Sequence, residues 1–261
     1  MSLPRSFLAG PIAHRGLHDR SAGRPENSMA AFDAAVARGY AIELDVQPSA
    51  DGVAMAFHDD RLDRLTDATG PVERLTADAL SRLTLRGGTA GIPRLAEVLG
   101  RVAGRVPLLV EIKDQDGDMG PDVGPLEDAV IAALDGYAGP VAVMSFNPHT
   151  VDCLRDRAPH LPRGLVTSAF DARTWPDLSP ATRDRLAGIP DLRRVGACFV
   201  SHEADALDMP RVAEIKAAGL PILCWTVRSP AQEAEARRIA DTVTFEGYLP
   251  RPETAPPVPH E

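Results

Sequence analysis

Residues 107–112 read Pro-Leu-Leu-Val-Glu-Ile, a short and almost continuous apolar run that ends at Lys113. An amphipathic segment over 125–135 follows and leads to a second apolar run at 141–146, Val-Ala-Val-Met-Ser-Phe. Apolar runs of this length predict strands that are buried on both faces, and parallel strands need a connection of about a dozen residues or more between them. This stretch therefore predicts a strand-helix-strand unit of a parallel sheet.

The same alternation of apolar runs and amphipathic segments extends along most of the chain. Strands are predicted at 10–14, 41–46, 53–58, 107–112, 141–146, 164–168, 196–200, 221–227 and, with a weaker pattern, 242–245. The clearest helical patterns lie at 28–38, 94–103, 125–135, 149–157, 210–218 and 230–239, with a short one near 76–83. Alternating strands and helices over about 250 residues predict an α/β fold, a somewhat irregular (β/α)8 TIM barrel.

One part of the pattern does not fit a regular barrel, because nine candidate strands compete for eight positions. The link between 41–46 and 53–58, Gln47-Pro-Ser-Ala-Asp-Gly52, is too short to contain a helix. Either these two segments form a hairpin-like pair, or the barrel is irregular at this point. We predict a barrel domain over 8–250 with a small insertion after the third strand, at about 59–92, and a proline-rich tail over 251–261.

Local signals also predict where helices begin and end. Asn27 is a plausible N-cap of the first helix, and Gly39 is expected to end it. Ser229 followed by Pro230 is typical of a helix start, with an N-cap residue before a proline in the first turn.

Composition excludes several classes of protein. The 261 residues carry a net charge of −9, which argues against a nucleic-acid partner and favours a small-molecule ligand. The three cysteines form no Cys-x-x-Cys pair, so neither a zinc cage nor a disulfide framework is expected. The start of the chain lacks the pattern of a signal peptide, and no apolar run reaches about 18 residues. We therefore expect a cytoplasmic protein without a transmembrane segment, and the oligomeric state stays open.

Polar side chains interrupt or follow the strands of the first half of the chain. They are His14, Arg15, Glu43, Asp45, His58, Glu111 and Lys113. A period of two places Glu43 and Asp45 on one face of their strand, and the carboxyl ends of parallel strands form the mouth of a barrel. Any one of them has an ordinary explanation, such as a Glu111–Lys113 ion pair. Together they predict a shared site, because buried charges are costly unless they are paired or bind a metal.

These residue types suggest a particular chemistry. Three carboxylates are hard oxygen ligands that suit Mg²⁺, Ca²⁺ or Mn²⁺. Two histidines can serve as general acid and general base, while Arg15 and Lys113 can hold an anion. With one divalent cation the set would carry a single positive charge, which matches a phosphodiester, whereas without the cation it would repel one. We therefore predict a phosphodiesterase that depends on a divalent cation.

The order of several short motifs resembles the glycerophosphodiester phosphodiesterase family over most of the chain. The motifs are Ala13-His-Arg-Gly16, Pro25-Glu-Asn-Ser28, Glu43-Leu-Asp-Val46, Asp51-Gly52, Phe57-His-Asp59, Leu62-Asp-Arg-Leu-Thr66, Ile92-Pro-Arg-Leu95, Glu111-Ile-Lys113, Ser145-Phe146 and Trp225-Thr-Val227. Each motif is weak alone, and the series is specific. The resemblance implies a barrel with a small insertion after the third strand and hydrolysis of glycerophosphodiesters to glycerol 3-phosphate and an alcohol.

The resemblance also implies roles for individual residues. His14 and His58 are the acid/base pair, Glu43, Asp45 and Glu111 are the metal ligands, and Arg15 and Lys113 bind phosphate. Glu26 is expected near the metal and Arg15, Asn27 is either a supporting residue or a helix cap, and Trp225 lines the glycerol side or packs in the core. The chain departs from the family pattern at 241–248, where Glu246 is the candidate to replace a usual acid, and at Phe146-Asn-Pro148.

Three alternatives stay open at this point. One is a catalytically inactive barrel that only binds phosphodiesters. Another is a lipid-directed relative, either lysophospholipase D-like or similar to phosphatidylinositol-specific phospholipase C, which would favour an exposed apolar rim. The third is a zinc site on His14 and His18, a spacing that suits a helix, whereas Gly16 disfavours a helix there.

Overall fold

The computed structural model describes residues 1–250, so the predicted tail at 251–261 lies outside the described residues. The strands are β1 (Ile12–Ala13), β2 (Ala41–Pro48), β3 (Ala54–Ala56), β4 (Leu108–Ile112), β5 (Val141–Ser145), β6 (Arg163–Thr167), β7 (Phe199–Glu203), β8 (Ile222–Val227) and β9 (Thr242–Phe245). The α-helices are α1 (Met29–Arg38), α2 (Ala77–Arg82), α3 (Leu95–Val102), α4 (Pro125–Leu134), α5 (Pro148–Arg157), α6 (Pro180–Ala187), α7 (Pro210–Ala217) and α8 (Pro230–Ala236). None of these helices is long and apolar enough to cross a membrane.

Eight of the described strands close into a parallel ring. The order around the ring is β1-β2-β4-β5-β6-β7-β8-β9, and β9 returns to pair with β1. The closure is visible at Ile12, which pairs with Ala41 of β2 on one side and with Thr244 of β9 on the other. The predicted (β/α)8 TIM barrel is confirmed.

The ninth strand explains the irregularity seen in the sequence. β3 pairs antiparallel with the end of β2, with Val46 opposite Ala56, and takes no place in the ring. Of the two alternatives for this region, the hairpin is the one that forms. The residues after β3 pack around a small core of their own, which contains Phe57, Leu62 and Leu80.

Successive side chains of the barrel strands alternate between the two faces of the sheet, as a period of two requires. In β2, Ile42, Leu44 and Val46 face the helices and join the largest apolar cluster. Ala41 lies in the cluster that fills the barrel interior, together with Leu109 of β4. Because Glu43 and Asp45 share the register of Ala41, their side chains also face the interior, nearer the carboxyl end of the strand. The sequence pattern thus directs charge into the barrel mouth.

Most helix boundaries follow the predicted signals, with one correction. The N-cap of α1 is Ser28, whose hydroxyl accepts a hydrogen bond from the Ala31 amide, so the prediction of Asn27 as the cap is wrong. Gly39 ends α1 in the left-handed conformation (φ 72°), and Ser229 caps α8 as expected.

Two elements differ from the sequence prediction. β7 covers 199–203 rather than 196–200, because Gly196 turns with a φ of 60° and the Ala197 amide bonds back to Leu192. The sequence did not predict helix α6, because Leu186 is its one buried residue and the segment therefore shows no apolar period.

Candidate active site

The three predicted metal ligands converge at the carboxyl end of two neighbouring strands. Asp45 of β2 pairs directly with Glu111 of β4 in the parallel ladder. Glu43, Asp45 and Glu111 have exposed fractions of 2%, 1% and 6%, and one carboxylate oxygen from each lies within 4.8 Å of the others. The structure therefore brings together the three carboxylates that the sequence singled out.

Two cationic side chains lie against this carboxylate trio. The Lys113 Nζ atom lies 2.6 Å from Asp45 Oδ1 and 2.5 Å from Glu111 Oε1. The Arg15 Nε atom lies 3.3 Å from Asp45 Oδ2. Burial tends to raise the pKa of Asp45, but Lys113, His58 and Arg15 outweigh it and hold that pKa well below its usual range. Asp45 is therefore ionised at neutral pH.

The negative charge of Glu43 is less well compensated by neighbouring groups than that of Asp45. Its Oε2 atom accepts a hydrogen bond of 2.9 Å from the Arg15 amide, whereas its Oε1 atom is buried without a hydrogen-bond partner. Burial, together with the nearby charges of Asp45 and Glu111, raises the pKa of Glu43 well above its usual value. A crowded carboxylate group with an unpartnered oxygen fits a hard divalent cation, which supplies the missing positive charge.

Both predicted catalytic histidines are held by a carboxylate at the Nδ1 atom. His14 Nδ1 lies 2.6 Å from Glu246 Oε2, and His58 Nδ1 lies 2.7 Å from Asp59 Oδ1. Such a pair fixes the orientation of the ring and leaves Nε2 available. Burial, assisted by Arg15, lowers the pKa of His14 to about 4 despite the Glu246 hydrogen bond. His14 is therefore neutral at pH 7.

The turn after β1 places Arg15 where it can reach the carboxylates. Arg15 has a φ of 54° and Gly16 a φ of 78°, so the chain bends sharply at this point. A Cβ atom on Gly16 would lie 2.9 Å from the backbone carbon of Ala31, which is closer than real contacts allow. The close approach of this turn to α1 thus requires glycine at position 16.

Glu26 and Asn27 support the site from the loop before α1. Glu26 Oε1 accepts a hydrogen bond of 2.6 Å from Arg15 Nη1. Asn27 Nδ2 donates to Asp45 Oδ2 at 2.8 Å, and its Oδ1 atom accepts from the Asp45 amide. Asn27 is fully buried, and its φ of 52° is unusual for a residue other than glycine. The side chain thus orients a carboxylate instead of capping the helix.

Arg64 joins the two halves of this network from the insertion. Its guanidinium donates two hydrogen bonds of 2.7 Å to Glu26 and two bonds of 2.6 and 2.9 Å to Asp59. Burial opposes the ionisation of Glu26, but Arg64 and Arg15 prevail and lower its pKa to about 2. Through these two carboxylates Arg64 fixes both Arg15 and His58. The insertion therefore contributes directly to the geometry of the barrel mouth.

Trp225 lies in the wall of the site. Its Nε1 atom donates to the Ser201 carbonyl oxygen at 3.1 Å, and its ring lies 5.4 Å from that of Phe146. The residues that line a cavity of about 150 Å³ include both histidines, the three carboxylates, Arg15, Lys113, Trp225 and Ser201. All residues predicted to act directly thus line one space.

Sequence reasoning missed three supporting roles. Glu246 was noted as a replacement for a usual acid, but nothing in its position along the chain showed that it holds His14. Asp59 follows His58 directly, a signal that could have identified it as the partner. Arg64 was quoted within a motif and was given no role, because its contact with Glu26 joins residues 38 positions apart.

The alternative zinc site has a partial counterpart in the structure. His14, His18 and Glu246 offer ligand atoms within 4.8 Å of one another. Residues 14–18 form turns rather than a helix, as Gly16 indicated. Glu246, which follows β9, brings the two histidines together, and its Oε2 atom lies 3.5 Å from His18 Nε2.

A model of the glycerophosphoryl diester phosphodiesterase family matches residues 14–243, which begin at His14 and include every predicted site residue. The chain belongs to this family. Membership places it among the phosphoric diester hydrolases. The Bacillus subtilis (strain 168) protein YhdW is 31% identical to this family member over 86% of this chain and 88% of its own. The glycerophosphodiester phosphodiesterase of Caldanaerobacter subterraneus subsp. tengcongensis is 33% identical over 63% of this chain and 69% of its own.

Solved structures of the family agree with the fold. A phosphodiesterase from Oleispira antarctica, in complex with the product sn-glycerol-3-phosphate, matches with a TM-score of 0.73 and 26% identity, over 92% of this chain and 94% of that one. A protein from Silicibacter pomeroyi matches with a TM-score of 0.76 over 94% of each chain, and its 23% identity supports the fold alone.

Proposed function

We propose that this enzyme hydrolyses glycerophosphodiesters to glycerol 3-phosphate and an alcohol, with a divalent cation and two histidines. The observation that carries the proposal is the single cavity in which Glu43, Asp45 and Glu111 meet His14 and His58. Membership of the family supports the substrate class. So does the Oleispira antarctica phosphodiesterase, which was solved with sn-glycerol-3-phosphate.

The two histidines would divide the proton transfers. His14 is neutral at pH 7 and turns its Nδ1 atom to Glu246, so its Nε2 atom can accept a proton from the attacking hydroxyl. We assign His58 to protonation of the leaving alkoxide, with Asp59 holding the ring at its Nδ1 atom. The attacker is water, or it is the adjacent glycerol hydroxyl of the substrate, which would form a cyclic phosphate.

Arg15 and Lys113 would bind the phosphate oxygens beside the carboxylates. The guanidinium of Arg15 is held in place by Glu26, and Lys113 lies between Asp45 and Glu111. Glu43, Asp45 and Glu111 would hold the cation, whose chemistry is to neutralise charge on the phosphate oxygens; Mg²⁺, Ca²⁺ and Mn²⁺ all suit these ligands. A structure with bound cation would identify which is used.

The alternative functions gain little from the structure. An inactive binding barrel does not explain why both histidines carry a carboxylate on Nδ1. A lipid-directed enzyme would favour an exposed apolar rim. Among residues 1–250 the large exposed apolar side chains are Met1 and Leu249. A freely diffusing diester is therefore the substrate that we favour.

A direct assay tests the proposal. Purified protein is incubated with glycerophosphocholine and Mg²⁺, Ca²⁺ or Mn²⁺, and ³¹P NMR follows the products. We expect glycerol 3-phosphate to form with at least one cation and to disappear with excess EDTA. The double variant His14→Ala/His58→Ala controls for contaminating enzymes. Phosphocholine as the product would show cleavage on the other side of phosphorus, and no product with any cation would refute the proposal.

A further inference from the structure

A second cluster of metal-ligating side chains lies beside the carboxylate trio and shares none of its members. His14, His18 and Glu246 each offer one ligand atom, within 4.8 Å of one another. The Oε2 atom of Glu246 lies 2.6 Å from His14 Nδ1 and 3.5 Å from His18 Nε2. Its Oε1 atom accepts a hydrogen bond of 2.8 Å from Arg228, so Oε2 is the oxygen that the two imidazoles share. Two ring nitrogens and one carboxylate oxygen therefore face the same small space.

The ring nitrogen that His18 turns to this space lacks a hydrogen bond. His18 Nε2 is buried and has no hydrogen-bond partner among the described residues. Buried polar atoms are nearly always satisfied by protein, by water or by an ion. A cation bound between His18 and Glu246 would supply the missing partner. The proposed hydrolysis gives His18 no other task.

This cluster is reached through a cavity of its own. The cavity has a volume of about 460 Å³, and its lining includes Gly16, His18, Glu246 and Tyr248. It shares no lining residue with the 150 Å³ cavity that holds His14 and the carboxylate trio. An ion can therefore approach Glu246 without passing through the space where the substrate would bind. Three protein ligands leave the fourth position of a tetrahedral ion to water from this cavity.

The donor atoms select a different class of cation from the carboxylate trio. Imidazole nitrogen suits Zn²⁺ and similar transition-metal ions, whereas an all-oxygen set suits Mg²⁺ and Ca²⁺. In a tetrahedral zinc site with bonds of about 2.0–2.1 Å, neighbouring ligand atoms lie about 3.3 Å apart. The distance of 3.5 Å between His18 and Glu246 is close to this value. The distance of 2.6 Å between His14 and Glu246 would lengthen as the metal replaces the hydrogen bond.

We propose that His14, His18 and Glu246 form an inhibitory site for Zn²⁺. The inference rests on the proposed function, in which His14 carries a proton on Nδ1 and accepts another at Nε2. A metal on Nδ1 needs the lone pair of that nitrogen, so the one proton of the neutral ring moves to Nε2 by exchange with water. The ring then donates at Nε2, where the reaction needs an acceptor. Bound zinc would therefore inactivate His14 as a base without displacing the cation of the trio.

Inhibition kinetics distinguish this site from the trio. Hydrolysis of glycerophosphocholine is measured with the activating cation at saturation, and Zn²⁺ is then added. We expect kcat to fall by about 10²-fold or more at saturating zinc, the scale of losing a general base, with little change in KM. A higher concentration of the activating cation should not relieve the inhibition. Relief would place the zinc on the trio and overturn the inference.

A variant at His18 locates the site. Loss of a residue that merely supports a metal ligand lowers affinity by about 10–100-fold, so for His18→Gln we expect half-inhibition to need at least about tenfold more zinc. His160→Gln is the matched control, since His160 is exposed and belongs to neither metal-ligating cluster of the described residues. Each rate is divided by that of the same variant without zinc, so partial loss of folded protein cancels. Equal zinc sensitivity of the two variants would overturn the inference.

Direct binding separates this inference from the proposed function. Calorimetry in excess Mg²⁺ should show a single zinc site in the wild type and much weaker binding in His18→Gln, and ¹⁵N NMR should show the His14 proton moving from Nδ1 to Nε2. Zinc that binds here without slowing hydrolysis would overturn the inhibitory role. If glycerophosphocholine is not hydrolysed even without zinc, the proposed function fails, and the calorimetry still decides whether the zinc site exists.

Discussion

Replacement of Glu246 by glutamine tests whether this residue acts through His14. The Glu246 carboxylate accepts a 2.6 Å hydrogen bond from the imidazole and also binds Arg228 at 2.8 Å. A hydrogen bond to a charged group contributes about 1.5–3 kcal/mol, and each 1.4 kcal/mol corresponds to about tenfold in rate. We therefore expect Glu246→Gln to lower kcat by about 10- to 100-fold.

Three measurements separate this positioning role from a general structural one. The midpoint of the cation titration should not move, because Glu246 is not part of the carboxylate trio of Glu43, Asp45 and Glu111. ¹⁵N NMR of the imidazole should show His14 losing its preference for the tautomer protonated at Nδ1. In a His14→Ala background, Glu246→Gln should lower kcat little further, since the effects of substituting groups that act as a unit do not add.

A surface carboxylate provides the control for this experiment. Glu235 lies on α8 and pairs with the exposed Arg238, so Glu235→Gln removes the same charge without touching a histidine. We expect its kcat to match that of the wild type. A kcat for Glu246→Gln within twofold of the wild-type value, with an unchanged tautomer, would refute the reasoning.

Three further predictions follow from the same structure. His14→Ala and His58→Ala should each lower kcat by about 10²–10⁴-fold, and wild-type turnover in either variant would remove that residue from the mechanism. Glu43→Gln should weaken binding of the cation, so an unchanged cation affinity in a calorimetric titration would show that Glu43 is not a ligand. Burial lowers the pKa of His202 to about 4 from 6.5, so below pH 6.5 the unfolded chain takes up a proton that the folded protein does not. Between pH 7 and 5 the wild type should lose about 2 kcal/mol more stability than His202→Gln in denaturant unfolding, and parallel losses would contradict this.

The candidate site was more predictable than the loops that support it. Glu43, Asp45 and Glu111 could be placed because a strand alternates its side chains, and because parallel strands end at one edge of the barrel. Ser201 escaped notice because the strand that carries it was placed three residues too early. Its true start depends on a turn at Gly196 that the apolar pattern does not reveal.

The sequence by itself determined the alternation of strands and helices over most of the barrel and the charges at the carboxyl ends of its strands, because each rests on short-range periodicity. Only the tertiary structure decided that β3 leaves the ring, that Glu246 holds His14, and that Arg64 binds Glu26 and Asp59 together. His14 and Glu246 lie 232 residues apart along the chain, so their contact exists only once β9 closes the barrel against β1. Contacts of this kind depend on the closure of the whole fold, and no local pattern encodes them.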